Sequence, residues 1–357
     1  MKRRRYTLVL GGGGMKGIAH VGVLLALEKH AAFPVEVVGS SVGSLVAGAW
    51  CAGMPAVELR TLALDLRRRD LFRIAHRDMA VKRMRSPAIY RSEPLRQLVT
   101  RLLGDITFDE LPRPLLVNSV NLASGRQVLW GSPGLSDIPV ADAILASCAL
   151  PGYLPPHEIR GEFFIDGAAV SNLPVAATAS RDRDLIMAID VGSTAAIRPD
   201  THAMGFAAVY ARAIEFGIQT MRTATLLHWS QPPLLLIQPN VQHVGILSFH
   251  RNRELVAEGY RATTEMLADP HAIPPRGASG VYPRQRYSVR VIRERCIGCG
   301  ACRIHGPPGL FALDHEGRAV VTQPEQTWNP IQADFIRQCP TKAIVLEPDE
   351  KERVSAA

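Results

Sequence analysis

Ser41 stands at the centre of Gly39-Ser40-Ser41-Val42-Gly43, a Gly-x-Ser-x-Gly pattern that is typical of nucleophilic serines. A β-prone run, residues 35–38, leads into this segment, and a helical run of small residues, 44–52, follows it. Such a tight strand-to-helix turn exposes the serine Oγ at the carboxyl end of the strand, where the amino end of the next helix favours an anion. We therefore predict that Ser41 is a catalytic nucleophile.

A serine nucleophile needs donors that stabilise the oxyanion formed by its attack. A glycine loop, residues 11–14, follows the apolar run of residues 6–10. Its backbone N–H groups are not shielded by side chains, so Gly12, Gly13 and Gly14 are the candidate donors. If the two strands are neighbours in a parallel sheet, this loop and Ser41 lie at the same edge.

The serine also needs a base, and Asp166 is better placed for that role than either histidine considered. It directly follows a β-prone run and precedes a glycine that permits a sharp turn. His20 lies one turn into a predicted helix, where a structural role is expected. His157 follows two prolines with nothing to hold it at Ser41. On the residues alone, an ordinary Asp-Gly turn remains the alternative for Asp166.

The elements that position these residues begin with strand, helix, strand and helix within about fifty residues, which predicts a parallel sheet with helices on its faces. An Arg-rich helical insertion follows at residues 55–112. Further strands are predicted at 114–122 and 126–130, which form a hairpin, and at 163–165, 185–189 and 234–237. A short helix is predicted at residues 139–148, a long one at 202–229 and a closing one at 253–267.

Taken together, these segments resemble the patatin-like phospholipases in order and spacing. The shared motifs are the glycine loop through Gly17, the serine segment and Asp166-Gly167-Ala168, and residues 147–152 and 172–174 match segments that flank the aspartate of the family. The resemblance covers about residues 6–268. It implies an α/β three-layer fold with a mainly parallel sheet.

The resemblance also implies a Ser–Asp dyad that hydrolyses lipid acyl esters without a histidine. Ser41 would be the nucleophile and Asp166 the base. The oxyanion hole would be the glycine loop of Gly12, Gly13 and Gly14, with the positive Lys16 nearby.

The same glycines support a competing reading. Gly12-x-Gly14-x-x-Gly17 after a strand is also a dinucleotide-binding fingerprint, and Glu36, nineteen residues beyond Gly17, is a candidate for the acidic residue that such a fold requires. However, Glu36 lies early in its strand, and the end of that strand is occupied by the Ser41 segment. The alternative of a dinucleotide-dependent oxidoreductase, linked to a ferredoxin-like domain described below, is therefore weaker than that of a serine hydrolase.

Four of the six cysteines form a group near the carboxyl terminus: Cys296, Cys299, Cys302 and Cys339. Three cysteines with two residues between each pair, followed by a distant Cys-Pro, have the spacing of an iron–sulfur site. Structural zinc is the alternative, although its cysteines more often come as two separated Cys-x2-Cys pairs. Cys51 and Cys148 stand alone in apolar surroundings and are expected to be buried packing residues.

Residues 287–346 resemble single-cluster ferredoxins. Where two-cluster proteins place a further Cys-Pro, this chain has Gly306-Pro307, so the resemblance implies one 4Fe–4S cluster held by the four cysteines. We expect three parts: an acyl hydrolase domain at residues 1–268, a Pro- and Gly-rich linker at 269–286, and a small α+β ferredoxin-like domain at 287–357.

The net charge of +8 is unevenly distributed, because the segment from Arg60 to Arg101 carries twelve Lys or Arg residues against four Asp or Glu. Such a segment suits phospholipid headgroups or an acyl-CoA, or is simply a solvated helix face. It lacks aromatic interleaving, so we expect no nucleic-acid partner. No apolar run approaches the ~20 residues of a membrane span, and the basic start lacks the apolar core of a signal peptide. A cytoplasmic, membrane-peripheral location is expected.

Two functional classes remain open at this point. The first is a serine acyl hydrolase whose cluster senses redox state or exchanges electrons with a partner protein. The second is an electron-transfer or redox-sensing protein whose patatin-like part binds lipid or acyl groups. The acyl lipid, the redox partner and the oligomeric state do not follow from the sequence.

Overall fold

A nine-stranded sheet forms the centre of the protein. The computed structural model describes residues 4–75, 88–178, 182–192 and 205–348. The strands of this sheet are β1 (Tyr6–Leu10), β2 (Glu36–Ser40), β3 (Leu115–Asn121), β4 (Gln127–Trp130), β5 (His157–Ile159), β6 (Glu162–Asp166), β7 (Leu185–Ile189), β8 (Leu234–Ile237) and β9 (Val281–Tyr282).

The helices of this unit are α1 (Ala19–Lys29), α2 (Val42–Cys51), α3 (Ala56–Asp65), α4 (Arg68–Leu71), α5 (Glu93–Leu103), α6 (Val140–Ser147), α7 (Ala168–Ser171), α8 (Phe206–Leu227) and α9 (Asn252–Ala268). A 3-10 turn, Gly14–Ile18, precedes α1. The predicted strand–helix order, the helical insertion and the β3–β4 hairpin are confirmed where described. Residues 76–87 of the insertion and 202–204 of the long helix lie outside the described residues. Within the described ranges, no helix is long and apolar enough to span a membrane.

The order of the strands brings the predicted site residues to neighbouring positions. The sheet runs β5-β6-β3-β2-β1-β7-β8-β9, with β4 also paired to β3. Strands β1, β2, β3, β7, β8 and β9 are parallel, while β4, β5 and β6 are antiparallel to their neighbours. The carboxyl ends of β1 and β2 therefore meet at one edge, as expected, and β3 alone separates β2 from β6.

Alternating side chains of the strands form two cores, one on each face of the sheet. Leu8, Leu10 and Val37 face the larger core, which α1, α2, α3, α5, α6 and α9 cover. Val9 and Val38 face the smaller core on the other side. A sheet that is buried on both faces explains why its parallel strands are apolar throughout.

Helices α1 and α9 cross in direct backbone contact on the larger core. A Cβ atom added at Gly22 would collide with the carbonyl oxygen of Val256, and one added at Gly259 would collide with that of Ala19. The glycine loop leads through the 3-10 turn directly into α1. The close crossing with α9 therefore holds in place the helix to which the end of the loop is attached.

The predicted linker is partly wrong. Within residues 269–286, Val281 and Tyr282 form β9, which pairs in parallel with β8 and extends the main sheet, and β10 begins at Gln285. The open edge of β8 provides unpaired backbone groups, and a short β-prone pair between Gly280 and Pro283 satisfies them. The Pro- and Gly-rich composition predicts the irregular backbone but not this pairing.

The carboxyl-terminal unit has its own small core. Its elements are β10 (Gln285–Val291), α10 (Ala301–His305), β11 (Phe311–Leu313), β12 (Ala319–Val321), β13 (Glu325–Trp328), the 3-10 helix Gln332–Gln338 and β14 (Ile344–Pro348). Phe311, Trp328 and Phe335 pack at its centre. Ile331 of this unit packs outside that core and is buried in the smaller core of the main sheet. The small α+β unit is present, and its ferredoxin-like character stays a prediction.

The close crossing of α1 and α9 gives a stability test. Gly259→Ala is expected to lower the free energy of unfolding by ~1–3 kcal/mol, because the methyl group has no space against Ala19. Gly217→Ala on α8 is the matched control: nothing lies within 4 Å of its added Cβ, so this variant should be neutral or up to ~1 kcal/mol more stable. Chemical denaturation of both variants measures the difference, and equal stabilities would contradict the crossing.

Candidate active site

The turn between β2 and α2 holds Ser41 in a strained backbone conformation. Ser41 has φ 54° and ψ −131°, a region that non-glycine residues rarely occupy. A Cβ at Gly39 would collide with the backbone of Ser44, and one at Gly43 would collide with the carbonyl oxygen of Leu10. Both glycines of the Gly-x-Ser-x-Gly pattern are therefore needed for close approach, and the second one lets α2 pack against the end of β1.

Asp166 lies directly beside Ser41. The hydroxyl Oγ of Ser41 donates a hydrogen bond of 2.7 Å to Oδ2 of Asp166. The other carboxylate oxygen accepts the N–H of Ala168 at 2.9 Å, which fixes the side chain at the end of β6. The predicted Ser–Asp contact is thus present, and the Asp-Gly turn alternative does not account for it.

Both histidines considered from the sequence lie away from this contact. His157 pairs with Asp142 through Nε2 at 2.9 Å. His20 is fully buried and donates from Nε2 to the carbonyl oxygen of Gly11 at 2.8 Å. Burial lowers the pKa of His20 to about 4 despite that hydrogen bond. His20 is therefore neutral at pH 7 and supports the start of the glycine loop, in agreement with its expected structural role.

Burial makes Asp166 a stronger base than an exposed aspartate. Asp166 is 1% exposed, and this desolvation raises its pKa from 3.8 to about 6, against the opposing effect of the hydrogen bonds from Ser41 and Ala168. The carboxylate is still the dominant form at pH 7, and it accepts a proton more readily than an ordinary aspartate does.

The glycine loop lies against Ser41, but one of its predicted donors is already engaged. A Cβ at Gly12 would lie 3.1 Å from Cβ of Ser41. However, the N–H of Gly12 donates to the carbonyl oxygen of Asn172 at 3.0 Å. The prediction that Gly12 is a free oxyanion donor is therefore wrong, because this N–H holds the loop in place. Sequence cannot show this, since it requires knowing what lies beside the loop.

Gly13 and Gly14 are the loop glycines that remain available. Within the described parts of the chain, neither N–H donates a backbone hydrogen bond. The next N–H, of Met15, donates to the carbonyl oxygen of Ile246 at 2.9 Å. Gly14 has φ +57°, a conformation that favours glycine. Lys16 is buried in the turn that follows, and it is not a free cation.

Asn172 and Ser147 support the site, and the sequence motifs alone assign neither residue a role. Asn172 holds the loop twice: its carbonyl oxygen accepts the N–H of Gly12, and its Nδ2 donates to the carbonyl oxygen of Gly12 at 3.0 Å. Oγ of Ser147 accepts the N–H of Ser41 at 2.9 Å. Both residues lie in the segments that resemble the family's aspartate-flanking sequences, which was the available signal.

A buried ion pair lies behind the loop. Asp190, at the end of β7, pairs with Arg222 of α8, and both side chains are at least 94% buried. Oδ1 of Asp190 accepts the N–H of Gly192 at 3.0 Å, and Oδ2 accepts Nε2 of Gln238 at 3.0 Å. A Cβ at Gly192 would lie 2.9 Å from Nδ2 of Asn172. The Asp190 turn thus packs against the residue that holds the loop.

Glu36 is not placed to bind a ribose. It lies at the start of β2, is 4% exposed, and accepts a hydrogen bond from Oγ1 of Thr7 at 3.4 Å. The other end of β2 carries the Ser41 turn. The geometry therefore gives no support to the dinucleotide reading.

The four clustered cysteines line one small cavity of the carboxyl-terminal unit. Sγ of Cys296 accepts the N–H of Ala319 at 3.4 Å, and Sγ of Cys339 accepts that of Ala343 at 3.2 Å. No group of His, Cys, Asp or Glu in the described ranges is arranged to hold a single metal ion. Four thiols, two of which accept backbone N–H groups, fit the donor chemistry of a 4Fe–4S cluster, which fills more space than one ion.

Cys51 and Cys148 are buried, as predicted. Burial raises the pKa of both thiols well above the ordinary value, so neither is a reactive thiolate at neutral pH.

The burial of Asp166 predicts a pH-dependent stability difference. Because the folded state raises its pKa from 3.8 to about 6, the folded protein loses stability as the pH rises through this window. Asp166→Asn removes that loss. Relative to the parent, the free energy of unfolding of the variant should therefore increase by ~1–3 kcal/mol as the pH rises from acidic to neutral. Denaturation at several pH values measures this gain. The exposed control Asp105→Asn should show none, and a constant difference for Asp166→Asn would contradict the buried carboxylate.

In a comparison with known protein families, residues 8–179 match the patatin-like phospholipase family. This span contains the glycine loop, Ser41 and Asp166. An uncharacterised NTE family protein of Mycobacterium tuberculosis is 32% identical over 192 residues, which cover 54% of this chain and 50% of that protein. The cGAMP-activated phospholipase of Escherichia coli is 28% identical over 194 residues, covering 48% and 54%. Lysophospholipase NTE1 of Meyerozyma guilliermondii is 27% identical over 289 residues, covering 73% and 19%.

The chain spans about half the length of the first curated relatives that it matches. Among solved structures, VipD from Legionella pneumophila aligns with a TM-score of 0.42 and 14% identity over 75% of this chain and 67% of that one. The ExoU–SpcU complex of Pseudomonas aeruginosa aligns with a TM-score of 0.41 and 18% identity over 74% and 51%.

Proposed function

We propose that the patatin-like phospholipase domain at residues 8–179 makes this protein a serine hydrolase of lipid acyl esters. The 2.7 Å hydrogen bond between Ser41 and the buried carboxylate of Asp166 carries the proposal. The relatives named phospholipase and lysophospholipase support an acyl ester as the substrate.

In the proposed reaction, Oγ of Ser41 attacks the carbonyl carbon of the ester while its proton moves to Oδ2 of Asp166. The N–H groups of Gly13 and Gly14 stabilise the oxyanion of the tetrahedral intermediate. Collapse of the intermediate breaks the ester bond, and Asp166 returns the proton to the departing alcohol. Water then attacks the acyl-Ser41 ester while Asp166 takes its proton. The bond between the acyl carbon and Oγ breaks, Asp166 returns the proton to Oγ of Ser41, and the fatty acid is released.

For the carboxyl-terminal unit we propose one 4Fe–4S cluster bound by Cys296, Cys299, Cys302 and Cys339. Such a cluster would supply one-electron redox chemistry. The residues themselves provide four thiol ligands and a tight loop: Gly298 has φ +71°, and a Cβ there would lie 2.7 Å from the carbonyl oxygen of Gly317. A role in redox sensing, or in electron exchange with a partner protein, belongs to this proposal.

The basic segment between Arg60 and Arg101 supports a peripheral contact with an anionic membrane. Its described part forms α3, α4 and α5, and its arginines are largely exposed. Exposed cations near an anionic surface each add to the attraction.

A fluorophosphonate probe tests the nucleophile. The probe should label the wild-type protein and the control Ser136→Ala, which changes a half-buried serine outside the site, but not Ser41→Ala. Labelling of Ser41→Ala would contradict the assignment. Absence of labelling together with quenching of NADH fluorescence on binding would instead favour the dinucleotide reading.

The base is tested with short-chain nitrophenyl esters and phospholipid. Asp166→Asn should reduce kcat by ~10²–10⁴-fold, because an amide cannot accept the proton of Ser41, while the exposed control Asp109→Asn keeps full activity. In the wild type, kcat/KM should fall as the pH drops through about 6, where Asp166 becomes protonated. Full activity of Asp166→Asn would show that Asp166 is not the base.

The cluster is tested by colour and metal content. Anaerobically purified protein should be brown, with broad visible absorption that dithionite bleaches. Cys299→Ala should lose this absorption, and the control Cys51→Ala, a buried cysteine outside the group, should keep it. A colourless protein with stoichiometric zinc would contradict the proposal.

A further inference from the structure

A cavity of about 350 Å³ lies on the larger core, between the helices that carry the active-site turn and those of the Arg-rich insertion. It is bounded by α1, α2, α3, α4 and α5, and its volume is within the range of sites for small organic ligands. Its interior is apolar and is lined mainly by Ile18, Val21, Leu45, Val46, Ala49 and Leu59. We refer to it as the insertion cavity.

Three arginines line the same cavity. Arg69, Arg73 and Arg101 are all exposed, so they mark the side that is open to water. No carboxylate within the described residues forms an ion pair with Arg73 or Arg101. Arg69 lies 3.9 Å from Asp70, a contact of little strength at an exposed site.

Two carboxylates also line the cavity, Asp65 and Asp70. Oδ2 of Asp70 accepts the N–H of Arg67 at 2.8 Å and so caps the start of α4. The three guanidinium groups outnumber the two carboxylates, and one of the latter is engaged by the backbone. The rim therefore favours an anion over an apolar interior.

The cavity is separate from the catalytic pair, because neither Ser41 nor Asp166 lines it. It nevertheless lies close to the Ser41 turn and to the downstream end of the glycine loop. Leu45 lies one turn of α2 beyond Ser41, which is ~6 Å of helix rise. Ile18 ends the 3-10 turn that begins at Gly14.

We propose that the insertion cavity binds an anionic amphiphile with a single aliphatic chain. The chain occupies the apolar interior, and a carboxylate or phosphate head lies among Arg69, Arg73 and Arg101. Arg73 and Arg101 have no carboxylate partner among the described residues, and an anionic head would supply one. The proposal concerns binding and does not depend on hydrolysis, so it stands whether or not Ser41 is the nucleophile.

The test uses the 357-residue chain with Ser41→Ala, which removes any turnover by Ser41, and equilibrium dialysis below the micelle concentration. The probes share one chain and differ in the head: dodecanoate, dodecyl phosphate and dodecanol. We expect one molecule of dodecanoate or dodecyl phosphate per chain, bound at least about tenfold more tightly than dodecanol. The tighter of the two anions distinguishes a fatty acid from a phospholipid-derived ligand.

Two variant pairs separate head from chain. Arg73→Gln with Arg101→Gln should weaken binding of the anions at least about tenfold and leave dodecanol unchanged. The control, Arg96→Gln with Arg126→Gln, removes the same charge from exposed arginines outside the cavity and should have no effect. Leu98→Trp, which fills the cavity, should weaken all three probes, whereas Leu227→Trp on α8 should not.

The proposal is overturned if none of the probes binds, or if dodecanol binds as tightly as the anions. It is equally overturned if the Arg73 and Arg101 variant binds the anions as well as its control does.

Discussion

The hydrogen bond between Ser41 and Asp166 joins residues that are 125 positions apart in the chain. It exists only because β6 pairs with β3, and β3 pairs with β2. In that register Asp166 lies opposite Ser119, and Asn118 lies opposite Ser40. Both residues are buried at this position, Ser41 at 9% and Asp166 at 1% exposure.

Two features of the site are unfavourable for folding and are held by their surroundings. The Ser41 backbone is strained, and the Asp166 carboxylate is buried away from water. Ser147 accepts the amide hydrogen of Ser41, and Asn172 holds the glycine loop through Gly12. Further back, the ion pair of Asp190 and Arg222 connects the end of β7 to α8. These contacts hold the site, and within the described part of the chain they leave the N–H groups of Gly13 and Gly14 without an acceptor.

The carboxyl-terminal unit is connected to this scaffold at two places. Strand β9 extends the main sheet, and Ile331 inserts into its smaller core. The side chain of Asn329 caps the 3-10 helix that follows Ile331, through the N–H groups of Ile331 and Gln332 at 2.9 Å. That helix ends at Gln338, next to Cys339. One short segment therefore has an anchor in the smaller core of the main sheet at its start and a thiol of the cysteine group at its end.

The sequence by itself determined the βαβα start, the Ser41 turn and the cysteine group, because each depends on local spacing. Glycines at fixed distances from a serine report backbone crowding that neighbouring residues create. Asp166 could be proposed from its place after a β-prone run, but its contact with Ser41 could not be derived, since sequence does not give strand order. Only the tertiary structure decided that the N–H of Gly12 donates to Asn172, that residues of the predicted linker form β9 of the main sheet, and that Asp166 is buried. Each of these depends on which distant segment lies beside the residue, and hydrogen bonding and desolvation depend on those neighbours.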